Sequence, residues 1–144
     1  MHHSLRLAFA AAAVGLMFSA APSLADTLKF KAELTGKAET PLNDSAGTGV
    51  ADVTYDTAAK TIAWTITYNG LTGAATAAHF HGPAKEGAKA PPVVPIHGTL
   101  DSPINGTSTL SDQQAADLQN GLWYFNVHTA KYPDGEIRGQ LQKQ

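Results

Sequence analysis

Strict two-residue alternation of apolar and polar side chains is the feature that most restricts how this chain can fold. It is clearest in residues 61–68, where Ile62, Trp64, Ile66 and Tyr68 alternate with threonine and alanine. In a β-strand successive side chains point to opposite faces, so this segment predicts a strand with one buried face.

Other segments carry the same pattern more weakly. Further strands are predicted at residues 28–34, 49–55, 74–81, 106–110, 122–129 and 135–142, with a hairpin turn at 56–60. One short helix is predicted near residues 111–120, with Ser111 as N-cap and Gly121 after its end. The proline-rich segment 82–95 is predicted to be an ordered loop outside the sheet. Such short antiparallel strands with frequent turns predict an all-β fold, a sandwich or a barrel.

The first 25 residues have the features of a secretory signal peptide. Arg6 precedes an apolar run, residues 7–21, and small residues at Ser23 and Ala25 suit cleavage before Asp26. The apolar run is shorter than the ~20 residues that a membrane span needs, and no second run follows. We therefore expect an exported protein, periplasmic or secreted, free of the membrane after cleavage, with residues 26–144 forming a single domain.

Composition narrows the chemistry of that domain. The chain has no cysteine, and both methionines, Met1 and Met17, lie in the predicted signal peptide, so no disulfide or sulfur ligand is expected. Basic residues number 10 and acidic residues 12, and removing Arg6 leaves 9 against 12. Arg138 is then the one arginine. Nucleic acid is not an expected partner, because basic side chains are few and scattered.

Histidines carry the main functional signal. The sequence has six, of which His2 and His3 fall in the predicted signal peptide. His79 and His81 are two residues apart in a predicted strand, so their imidazoles share one face while the residue between them turns toward the core. Two imidazoles placed in this way can bind one metal ion.

The other two histidines lie far from this pair in sequence. His128 ends the segment 122–129, on the face that also carries Tyr124 and Asn126. His97 follows the proline-rich segment, whose fixed backbone favours a preformed ligand position. The sequence thus predicts a metal site of His79, His81, His97 and His128; the alternative is a solvated cluster without function.

Ligand chemistry ranks the metals. Imidazole suits copper, zinc, nickel and iron, and the site lacks the soft sulfur ligands of Cu(I) chaperones. Copper is the first expectation, because it heads the divalent affinity series and is available outside the cytosol. Zinc is the second.

Five motifs are distinctive in combination: GLT at 70–72, TAAHFHGPA at 76–84, PVV at 92–94, GLWYFNVHT at 121–129 and PDGEIRGQ at 133–140. Together they resemble the CHRD domain, which is named after chordin. The resemblance spans residues 29–142 and implies a Greek-key-like β-sandwich similar to Cu/Zn superoxide dismutase. By the same resemblance, His79, His81, His97 and His128 match the order of the dismutase copper ligands. The predicted mature domain has no further histidines for a second, zinc site, and the chain has no cysteine for the usual disulfide.

Three functions stay open at this point. The first is copper binding for buffering, transport or redox chemistry. The second is a copper-only enzyme resembling superoxide dismutase, in which Arg138 would attract the anion to the metal. The third is an extracellular protein-interaction module without metal chemistry, whose protein partner the sequence does not identify. No other catalytic motif is present.

Arg138 has an alternative role. It could form a structural ion pair with Asp134 or Glu136, and those two acids could instead orient a ligand imidazole.

Overall fold

The computed structural model describes residues 26–144, which form an antiparallel β-sheet with one α-helix and one 3-10 helix. The strands are β1 (Thr27–Thr35), β2 (Thr48–Asp56), β3 (Thr61–Asn69), β4 (Ala75–His81), β5 (Pro92–Pro95), β6 (Ile104–Thr109), β7 (Tyr124–Thr129), β8 (Ile137–Gln140) and β9 (Gln142–Lys143). The 3-10 helix is Gly36–Ala38, and helix α1 is Asp112–Gln119. The predicted all-β class is confirmed. The predicted signal peptide lies outside the described residues.

The strand order brings segments from the two halves of the chain together. Eight strands lie in the order β5-β4-β7-β8-β1-β2-β3-β6, and β9 pairs with β1. The two edge strands, β5 and β6, line one small cavity, so the sheet curls into a nearly closed barrel around its core. As a consequence, β4 lies beside β7 and β7 beside β8, although β4 and β7 are more than 40 residues apart in sequence.

Alternation decides which side chains fill the core. Ile62 and Ile66 of β3 are fully buried, as the sequence pattern predicts. Phe80 of β4 is also fully buried, and its ring packs edge-on against Trp64 and Phe125 at centroid distances of 5.2 and 4.7 Å. Since Phe80 points inward, the residues on either side of it, His79 and His81, point to the outer face.

The prediction that the proline-rich segment stays outside the sheet is wrong at its end. Pro92–Pro95 form β5, which pairs with β4 along one edge of the sheet. Val94 lies opposite Phe80 in this pairing and is buried in the core. Prolines are tolerated here because an edge strand has one side on which backbone N–H groups need no partner strand.

The predicted short helix is present, and its start is fixed by local chemistry. Ser111 is the N-cap: its hydroxyl accepts from the backbone N–H of Gln114, and the Gln114 side chain accepts from the N–H of Ser111. This reciprocal capping box satisfies two backbone donors at the helix start. Gly121 follows the helix with a φ of +71°, a conformation that glycine adopts without strain.

Candidate metal centre

Three histidines meet on the outer face of β4 and β7. His79 lies opposite Asn126 in the strand pairing, and His128 is two residues further along β7, so His79 and His128 are diagonal neighbours. With His81, they each offer a ring nitrogen, and the three nitrogens lie within 4.8 Å of one another. The pairing of β4 with β7 therefore brings three of the four sequence-predicted ligands together.

The spacing of His79 and His128 suits a shared cation. Nδ1 of His79 lies 3.3 Å from Nε2 of His128. Two nitrogens bound at about 2.0–2.1 Å with near-tetrahedral angles would be about 3.3 Å apart. The two rings meet at 70°, and without a cation Nδ1 of His79 can donate a hydrogen bond to Nε2 of His128.

Backbone carbonyls hold two of the rings by their second nitrogens. Nδ1 of His128 donates to the carbonyl of Pro133 at 2.9 Å, and Nδ1 of His81 donates to the carbonyl of Ala90 at 2.8 Å. Each bond leaves Nε2 of a neutral imidazole without a proton. Hydrogen bonds of this kind fix tautomer and ring orientation at metal sites.

The pKa values of His79 and His81 also favour cation binding, because both are lowered. Burial lowers the pKa of His79, and the charges of His128 and His81 lower it further. Burial lowers the pKa of His81 too, against the opposing effect of its hydrogen bonds to Ala90 and Asn126. Both rings therefore stay neutral to a lower pH than an ordinary histidine, and metal ions bind the neutral form.

His97 lies outside this group. It is exposed, follows the end of β5, and lines the cavity between β5 and β6 together with Trp64 and Gly106. The reason is its position after the edge strand β5, where it faces β6, whereas the cluster lies on the outer face of β4 and β7. The structure thus does not assemble the four-histidine set expected from the sequence.

Arg138 of β8 is a buried part of the structure beside this group. Its guanidinium stacks on the ring of Tyr124 at 3.5 Å and donates to the carbonyl of Ala88 at 2.7 Å. The Tyr124 ring in turn stacks on His81, with 4.7 Å between centroids and 3° between planes. Because Arg138 is only 2 % exposed, it offers no open surface to an anion in solution.

The two acids considered as partners of Arg138, Asp134 and Glu136, do not pair with it. Within residues 26–144 the salt bridge found is Lys60–Asp112, so Arg138 pairs with neither Asp134 nor Glu136 there. Asp134 is exposed. Glu136 is fully buried and accepts hydrogen bonds from Ser45, Thr72 and Thr129 instead of orienting an imidazole.

Hydrogen bonds to Glu136 connect the loops that contain Ser45, Thr72 and Glu136 to the end of β7. They come from the Ser45 hydroxyl at 2.6 Å, the Thr72 N–H and hydroxyl at 2.8 Å each, and the Thr129 hydroxyl at 2.5 Å. Burial raises the pKa of Glu136, but these bonds outweigh burial, so its pKa lies below the ordinary 4.5. Glu136 is a structural carboxylate.

Sequence reasoning missed three contributors to the site. The carbonyls of Ala90 and Pro133 carry no residue-type signal, because any residue has a carbonyl. The sequence predicts the face of Asn126 but no role for it, and its Oδ1 lies 3.0 Å from Nε2 of His81. The alternation of β7 alone could have suggested that Asn126 lies next to the histidines.

Fold and site together define an antiparallel β-domain with a cluster of three histidines on its outer face. The family model of the CHRD domain matches residues 30–141, so this chain belongs to the CHRD family. No curated protein and no solved structure matches it. CHRD domains are typically extracellular. In residues 26–144 no helix is long and apolar enough to cross a membrane.

Proposed function

We propose that this chain is an exported copper-binding CHRD protein that buffers or carries the ion at one site, formed by His79, His81 and His128. The observation that carries the proposal is the approach of three imidazole nitrogens to within 4.8 Å, with two rings anchored through their second nitrogens. A chance surface cluster needs no such anchoring.

Copper is preferred to zinc on the chemistry of the donors. All three are imidazole nitrogens, and Cu(II) binds such sites more tightly than the other divalent ions of the first transition series. Three protein ligands leave a coordination position for water or for an exchanging ligand, which suits a carrier. Export, supported by residues 1–25 and by the family, would bring the protein to a compartment where copper is less tightly buffered.

Titration of the metal-free protein with Cu(II) and, in competition, Zn(II) tests this proposal. We expect one equivalent of Cu(II) to bind, more tightly than Zn(II), and electron paramagnetic resonance to show three coupled imidazole nitrogens. The matched control is His97→Ala, which removes an imidazole outside the group and should change neither the affinity nor the spectrum. Absence of saturable binding would end the proposal, and loss of one coupled nitrogen in His97→Ala would return His97 to the ligand set.

The two alternative functions gain less support. A dismutase would use Arg138 to attract superoxide, but the guanidinium is buried and already bonded to Ala88 and stacked on Tyr124. An interaction module would present an apolar surface, and among the described residues Leu42 is the one exposed large hydrophobic side chain. A single exposed leucine does not make a docking surface.

A further inference from the structure

A buried carboxylate lies beside Asn126, the residue that contacts His81 of the histidine cluster. Glu39 directly follows the 3-10 helix and is 7 % exposed. Its Oε2 accepts a hydrogen bond from the N–H of Thr40 at 3.3 Å, whereas Oε1 is buried and accepts none within the described part of the chain. Burial raises the pKa of Glu39, and it outweighs the opposing effects of the Thr40 N–H, the Asn126 side chain and the charges of Arg138 and Lys89. The fold thus tolerates an unfavourable group at this position.

Asn126 links this carboxylate to the cluster. Its Oδ1 faces His81, while its Nδ2 lies beside the carboxylate of Glu39. The two groups crowd the same point next to Gly135: a Cβ there would clash with Oε1 of Glu39 and come within 2.9 Å of Nδ2 of Asn126. Turning the amide over would place its oxygen against the carboxylate, so the observed orientation is the favoured one.

The hydrogen bonding of His81 is also incompletely satisfied. Both of its ring nitrogens face oxygen atoms, the carbonyl of Ala90 at 2.8 Å and Oδ1 of Asn126 at 3.0 Å. A neutral imidazole has one N–H and can donate to only one of them. If Nδ1 donates to Ala90, the lone pair of Nε2 faces the lone pairs of Oδ1. A cation about 2 Å from each atom, beside the line that joins them, would turn this repulsion into two attractions.

We propose that Glu39 is a positioning residue of this metal site and acts through Asn126, an inference that rests on the proposed function. A cation bound at Nε2 of His81 is also attracted by Oδ1 of Asn126. Drawing electrons toward Oδ1 makes the Nδ2 hydrogens of Asn126 better donors, and the acceptor beside them is the unsatisfied Oε1 of Glu39. The carboxylate then holds the amide in the orientation that favours the bound ion.

Glu39→Gln tests the inference, because glutamine keeps the shape and removes the charge. Loss of an outer-shell partner typically weakens metal binding about 10- to 100-fold, so we expect Cu(II) affinity to fall at least about tenfold. The metal-free variant should unfold at the same or a higher urea concentration than the wild type, because a poorly compensated buried charge has been removed. A purely structural role for Glu39 would not give these opposite effects. Glu33→Gln, which neutralises an exposed carboxylate of β1, is the matched control and should change neither quantity.

Asn126→Ala tests the link and does not depend on the folding of the Glu39 variant. It should also lower Cu(II) affinity about tenfold, and adding Glu39→Gln to it should cost less than about a further twofold. Cu(II) affinity within about twofold of wild type in Glu39→Gln or in Asn126→Ala would overturn the proposal, and so would fully additive losses in the double variant. Failure of the wild type itself to bind Cu(II) would instead refute the proposed function, so the two failures are distinguishable.

Discussion

His128→Ala is expected to bind Cu(II) at least about 100-fold more weakly than the wild-type protein. Losing an outer-shell partner costs up to about 100-fold in affinity, and losing a ligand should cost no less. His128 is partly exposed at the end of β7, so its removal should leave the fold in place. Competition titration against a chelator of known affinity measures the change.

His97→Ala is the control for this experiment, since it removes an imidazole that lies outside the cluster. Its Cu(II) affinity should equal that of the wild type. Equal losses in the His128 and His97 variants would mean that binding reflects scattered histidines, and the three-histidine site would be abandoned.

Glu136→Ala is expected to lower the free energy of unfolding by about 3 kcal/mol. Removal of the carboxylate leaves the N–H of Thr72 and three hydroxyl groups without their acceptor, and unsatisfied buried polar groups cost about 1–3 kcal/mol each. Urea unfolding followed by circular dichroism measures the loss. Glu33→Ala, at an exposed position, should stay within about 0.5 kcal/mol of wild type. Similar unfolding curves for both variants would show that the hydrogen bonds to Glu136 contribute little.

Acid unfolding gives a second readout of Glu136. Its pKa in the folded protein lies below the ordinary 4.5, so its carboxylate stabilises the fold fully above pH 4.5. This contribution is lost as the pH falls through the lowered pKa. Glu136→Gln cannot titrate and should therefore show a weaker decline of stability below pH 4.5 than the wild type. An identical decline in both proteins would assign the acid sensitivity to other carboxyl groups.

Much of the fold was predictable because alternation depends on local sequence. The pattern of β3, the inward direction of Phe80 and the cap at Ser111 all follow from nearest neighbours along the chain. The same reasoning placed His79 and His81 on one outer face. It could also place His128 on the outer face of β7.

The missed features depend on contacts between distant segments. Alternation does not say that β5, which begins and ends with a proline, would pair with β4. His97 follows this edge strand and faces β6, away from the cluster. The position of Glu39 beside Asn126 depends on how the segment after β1 packs against the loop before β8. The partners of Glu136 come from two loops and from the end of β7, so a single acidic residue in the sequence could not reveal them.

X-ray diffraction at the copper absorption edge, from crystals of the copper-loaded protein, tests the three-histidine site most directly. The expected result is one anomalous peak within bonding distance of Nδ1 of His79 and Nε2 of His128, with the ring of His81 as the third ligand. A peak bound only at His97, or copper scattered over the surface without occupancy at the cluster, would contradict the assignment of His79, His81 and His128 as the copper ligands.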